Sequence, residues 1–152
     1  MRSIPEYLPA HPFFAGLDDR WIELVTGCAV NAHFRAGQQL FHEGEPADTF
    51  YVVRKGRIVI STRTPTGSVV LDTVHEDDVP GWSWLVPPYR WTFDARATDE
   101  TSAVRFDGAC LRQKCEADPE LGYALLQRVV QAMSERLRSA RVRLLDLYGA
   151  PT

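Results

Sequence analysis

The chain has 152 residues, of which 45% are hydrophobic and 24% charged, with a formal net charge of −3 at pH 7. That length fits one domain with a real core, and the composition is that of a folded protein rather than a disordered one. The slight acidity argues against a protein that grips nucleic acid by bulk charge.

The N-terminal segment Met1-Arg2-Ser3-Ile4-Pro5-Glu6-Tyr7 has no apolar core of the signal-peptide kind, and no window approaches 18 apolar residues. A cytoplasmic protein with no membrane segment is expected. Cys28, Cys110 and Cys115 are then read as reduced, structural thiols. Cys110 and Cys115 lack the second pair that a zinc site needs.

The first element reads as a helix. Phe13, Phe14, Leu17, Trp21, Ile22, Leu24 and Val25 recur at steps of three and four, Asp18 can cap it, and Gly27 lies near its end. From 29 to about 106 the pattern changes to short apolar runs at 29–34, 40–41, 50–53, 57–61, 69–74, 93–97 and 103–106. Turn residues separate them, among them Gly37, Gly44, Gly56 and Pro65-Thr66-Gly67. Such spacing predicts an antiparallel sandwich or roll. The stretch from Gly81 to Trp91 is not strand-like and holds three of the four tryptophans. An aromatic insertion in a β scaffold is a natural binding site.

The C-terminal third is helical again. Asp107-Gly108-Ala109 opens a short segment to Ala117. Asp118 then caps a long helix over 119–148, with Pro119 at its first position. Leu121, Leu125, Val129, Met133, Leu137, Ala140, Leu144 and Leu147 form an apolar stripe, and Gly149-Ala150-Pro151 ends it. About 30 residues at 1.5 Å each span about 45 Å, more than a small roll can cover.

The stretch 34–60 carries a family resemblance. Its glycines Gly37, Gly44 and Gly56, its acidic Asp48 and its run Tyr51-Val52-Val53 are similar to the pattern of the cyclic-nucleotide-binding domain family, as found in catabolite-activator-type bacterial regulators. The opening His11-Pro12-Phe13-Phe14-Ala15-Gly16-Leu17 resembles that family too. The resemblance covers nearly the whole chain. It implies one domain over 1–152 of mainly β α+β class: an eight-stranded antiparallel β-roll over about 29–106, an N-terminal helix and C-terminal helices. It also implies a stand-alone sensor. The helix-turn-helix that follows the long helix in the transcription factors is missing, so direct DNA binding is not expected.

In that family the ligand sits at a phosphate-binding cassette inside the roll. A glutamate takes the ribose hydroxyl and an arginine takes the cyclic phosphate. The cassette here is 81–95, and the implied ligand-binding residues are Gly81, Trp82, Ser83, Trp84, Leu85, Tyr89, Arg90 and Trp91. Gly81 and Leu85 match. Trp82 stands where the acid is expected, Arg90 stands near the phosphate arginine, and Trp91-Thr92 replace the small residues that follow it. Loss of the acid leaves a buried ribose hydroxyl unpaired, at a cost of roughly 1–3 kcal/mol. Asp94 could orient Arg90 only across an irregular backbone.

Two readings follow. In the first the chain is a regulatory small-ligand-binding module with a degenerate cassette, whose ligand is cyclic AMP or cyclic GMP. It signals to a protein effector in trans. In the second it is a ligand-free dimeric interaction protein, its pocket plugged by Trp82, Trp84 and Trp91. Both use a parallel homodimer with Met133, Leu137, Ala140, Leu144 and Leu147 near the seam. The arginines on that helix read as a solvated face. No catalytic residue and no metal site is expected: His11, His33, His42 and His75 form no His-x-His pair, and no nucleophile elbow or Walker loop occurs.

Overall fold

Strand β3 (Thr49–Lys55) is the hinge of the architecture, because both of its faces are covered. Phe50 and Val52 point into one apolar cluster, while Tyr51 and Val53 point into another. Alternation of side chains across a strand produces that split. A strand buried on two sides reads as a continuous apolar run. Strand β7 (Thr101–Asp107) does the same, with Val104 and Phe106 on the first face and Ala103 on the second.

The protein is described here by a computed structural model covering residues 2–149. The helices are α1 (Ile4–Tyr7), α2 (Asp19–Thr26), α3 (Gly108–Ala117) and α4 (Pro119–Gly149). The remaining strands are β1 (Ala29–Phe34), β2 (Gln39–Phe41), β4 (Ile58–Thr64), β5 (Gly67–Val74) and β6 (Asp94–Ala97). All pairings are antiparallel, in sheets of order β1-β7-β3 and β2-β6-β4-β5. The second cluster fills the space between the sheets, and the first lies between β3, β7 and the helices. This is the expected roll, with seven strands among the described residues in place of eight. One further bridge outside those strands joins Pro46 to Arg90.

Local rules explain most boundaries. Asp18 caps α2 by accepting the Arg20 amide at 2.8 Å, and Asp107 caps α3 by accepting the Cys110 amide at 3.0 Å. Asp118 accepts both the Leu121 amide at 3.3 Å and the Trp21 indole N–H at 2.9 Å. It thereby starts α4 and pins it to α2. The helical expectation for 13–17 fails. Those residues form turns, and the helix begins only at Asp19, after the capping residue. Ala150 and Pro151, read as the helix stop, lie outside the described residues.

The cysteine expectation is corrected. Cys28 and Cys110 form a disulfide, with Cα atoms 5.7 Å apart, and Cys115 is the free thiol. The sheet register brings them together: Ala29 pairs with Phe106, and the Asp107 amide donates to the Cys28 carbonyl at 2.9 Å.

Candidate functional site: the cassette loop and the exposed face of the long helix

The loop between β5 and β6 carries the residues singled out above, and the fold scatters them. Trp91 is 3% exposed and enters the roll, where it stacks on Phe41 with centroids 3.6 Å apart and planes 7° from parallel. Phe93 leans on the same pair, 5.7 Å from Phe41 and 6.4 Å from Trp91. Gly81 lies against this stack. A Cβ there would stand 3.0 Å from both Phe93 and Trp91.

Trp84 turns the other way. It is fully buried in the helix-side cluster, 5.2 Å from Phe50, and its indole N–H finds no partner. Ser83 is buried beside it, and half-buried Leu85 packs on the same cluster. Trp82 is half-buried at the edge of the helix-side cluster and lies under α4, where the Arg136 guanidinium sits 5.2 Å over its ring. Of the three tryptophans read as a possible plug, Trp91 alone lies between the sheets.

Arg90 is exposed, and its Nη1 donates to the Gly44 carbonyl at 2.9 Å. Its backbone neighbours are zipped to the β2–β3 loop. The Ala47 amide donates to Tyr89 O at 2.7 Å, the Trp91 amide to Glu45 O at 3.0 Å, and the Gly44 amide to Trp91 O at 2.8 Å. Asp94 does not reach Arg90. Its Oδ1 accepts the Glu43 amide at 2.7 Å, and Arg63 and His42 stand 3.6 and 3.9 Å away. Strand alternation puts Asp94 on the opposite face from Ala95, which joins the roll interior.

Two arginines that sequence reasoning did not connect to the loop hold it in place. Arg112 on α3 donates to the Trp84 carbonyl and lies 4.4 Å over the Tyr89 ring. Arg136 on α4 donates to the carbonyls of Val79 and Pro80, and its Nε stands 3.7 Å from an Asp72 oxygen. Removal from water lowers the Arg136 pKa, and the carboxylates of Asp72 and Asp78 offset this. Both arginines bind backbone oxygens, which leave no mark in a sequence.

Along α4, Leu121, Leu125 and Val129 are buried, and the stripe is uncovered beyond them. Tyr123, Leu126, Val130, Met133, Leu137, Leu144 and Leu147 are 40–79% exposed, and Ala140 is half-buried. They step by three and four without a break. A groove of about 470 Å³ runs between Trp82 and this face, lined by Val130, Met133, Ser134, Arg136 and Leu137. A second of about 470 Å³ lies at Tyr123, Leu126 and Val130. Arg90 lines neither. Among the described residues no cluster of three or more His, Cys, Asp or Glu could hold a metal. Among the described residues no helix is long and apolar enough to cross a membrane.

Comparison with known proteins places this geometry. Residues 31–118 match the model of the cyclic nucleotide-binding domain. Over 143 residues, 93% of this chain, the sequence is 30% identical to a CRP-like cAMP-activated global transcriptional regulator of Mycobacterium tuberculosis. The chain spans 62% of that regulator's length. It is also 31% identical, over 130 residues, to an uncharacterized NTE family protein of the same organism, covering 86% of this chain and 21% of that one. A crystal structure of a putative cyclic nucleotide-binding protein from Geobacter metallireducens superposes with a TM-score of 0.81 at 30% identity, covering 90% of this chain and 99% of that one. Roll and C-terminal helices thus agree with the sequence match, and the chain belongs to the cyclic nucleotide-binding domain family.

Proposed function

We propose that the protein is a dimeric regulatory module of the cyclic-nucleotide-binding type, formed by residues 1–152 as one unit, that acts through α4 on a protein effector in trans. One observation carries this reading: the exposed apolar face of α4 keeps a strict three-four repeat from Tyr123 to Leu147. A strict seven-residue repeat is what a left-handed two-helix seam requires. A second copy offers the same face, so a parallel pair buries both. Met133, Leu137, Ala140, Leu144 and Leu147 form its C-terminal part.

The ligand proposed for the cassette is cyclic AMP or cyclic GMP, with Arg90 on the phosphate. Family membership supports it. Binding then requires Arg90 to leave the Gly44 carbonyl and Trp91 to leave Phe41. Ligand contacts in the loop bias α4 through Arg136, which touches both. The Phe41–Trp91 stack favours the second reading, a ligand-free interaction protein whose roll is filled by its own side chains.

Light scattering on purified protein, with cyclic nucleotide titrated while tryptophan fluorescence is followed, tests both. The expected state is a dimer that Leu137→Asp converts to a folded monomer. A monomer at every concentration rejects the seam. A dimer with no saturable signal at millimolar nucleotide selects the ligand-free reading.

A further inference from the structure

Cys28 and Cys110, 82 residues apart in sequence, meet where the N-terminal helices join the C-terminal ones. Cys28 sits between α2 and β1, and Cys110 in the first turn of α3. Their backbones are placed by main-chain bonds and by the Asp107 carboxylate, which accepts the Cys110 amide at 3.0 Å. The Asp107 amide reaches the Cys28 carbonyl, and the Gly108 amide reaches the Asp48 carbonyl at 2.7 Å. Cys28 is 7% exposed, whereas Cys110 is half-buried, so an attacking thiolate reaches the bond from the Cys110 side. Burial pushes the Cys115 thiol pKa up, and the nearby Asp118 and Glu116 carboxylates add to this.

The same short helix reaches the cassette loop. Two residues beyond Cys110, Arg112 binds the Trp84 carbonyl and covers the Tyr89 ring. The seat of α3 therefore sets where Arg112 presents its guanidinium. A covalent link at the first turn fixes that seat, and a pair of free thiols leaves it to weaker contacts.

We propose that the Cys28–Cys110 bond is a redox-responsive tether: closed, it locks α3 onto the end of α2 and, through Arg112, holds the cassette loop 82–91. The exchanging reagent is a low-molecular-weight disulfide and its thiol. In closure the Cys110 thiolate attacks one sulfur of the reagent and expels one reagent thiolate. The Cys28 thiolate then attacks the Cys110 sulfur of the mixed disulfide and expels the second. Two protein thiols are oxidised, one reagent disulfide is reduced to two thiols, and the two protons pass to the departing thiolates. Opening is the reverse.

The experiment equilibrates the full chain in glutathione buffers of graded reduced-to-oxidised ratio. Free thiols are then trapped with an alkylating agent and counted by intact mass, and amide exchange is measured in parallel. The bonded fraction is expected to change across the series. Exchange in 82–91 is expected to rise about tenfold or more on opening, the scale of a local release of hold. Cys28→Ser should show the fast exchange in every buffer, Arg112→Ala likewise, and Cys115→Ser should match the parent protein. A bond that stays closed, or stays open, at every ratio overturns the proposal. So does a bond that opens without changing exchange in 82–91. These readouts involve neither nucleotide nor dimer, so they fail or succeed apart from the function proposed above.

Discussion

Trp91 lies flat on Phe41, 3.6 Å between centroids, in the space between the two sheets. The pair closes the interior of the roll, and Gly81 leaves room for it by having no Cβ. Trp91→Ala should therefore behave as a core truncation, costing about 3–5 kcal/mol. Urea unfolding measures it. A loss under about 1 kcal/mol would mean that Trp91 is not packed in the core.

His11 is fully buried, its Nδ1 accepts the Phe13 amide at 3.1 Å, and burial pushes its pKa down to about 4 from 6.5. The folded protein keeps the imidazole neutral until about pH 4, while the unfolded chain protonates it at about 6.5. Between these values the unfolded state binds more protons, so stability falls as the pH drops through that window. The whole contribution, about 3 kcal/mol, is present above pH 6.5. Unfolding free energies from pH 7.5 to 4.5 should show this slope, and His11→Gln should flatten it. Parallel slopes for the two proteins would remove His11 as the cause.

Arg136 gathers Val79, Pro80, Asp72 and Trp82 onto one side chain of α4. Arg136→Ala leaves two carbonyls without their charged donor and should cost roughly 1.5–3 kcal/mol. Arg136→Lys should recover little of it, because an ammonium cannot serve two carbonyls and an aromatic face from one plane. Denaturation gives the cost, and the Trp82 contribution to fluorescence should shift in both variants. Full recovery by lysine would reduce the contact to charge alone.

Gly56 turns β3 into β4 at φ 115°, a backbone region open to glycine. A Cβ there would stand 2.4 Å from Thr101 Oγ1 and 2.6 Å from the Glu100 carbonyl. Gly56→Ala combines strain with a backbone clash and should cost roughly 2–4 kcal/mol. Gly37, with φ 90° and no atom within 4 Å of its missing Cβ, should lose less on the same change. The order of the two melting temperatures checks this.

The parts of the molecule governed by short-range rules were legible in the sequence. The run 50–53 marked a strand, Asp18 and Asp107 marked helix starts, and the glycines at 37, 44 and 56 marked turns. The cassette loop was legible as a place but not as an arrangement. Trp84 and Trp91 are seven residues apart on irregular backbone, where no period assigns a face, and they enter different cores. The bonds that hold the loop run to carbonyls, which every residue owns. The Cys28–Cys110 contact spans most of the roll and depends on the register of β1 against β7.

The bare half of α4 has a further consequence. Past Val129 no residue of the helix is fully covered by its own chain, and most helical stability in proteins comes from packing of an apolar face. In the proposed dimer, a second copy would supply what the fold of one chain does not. The amount of helix present would then depend on how many molecules share the solution. Dilution would fray α4 beyond Val129, and circular dichroism against concentration would trace that loss. The abundance of the protein would in this way be an input to its own shape.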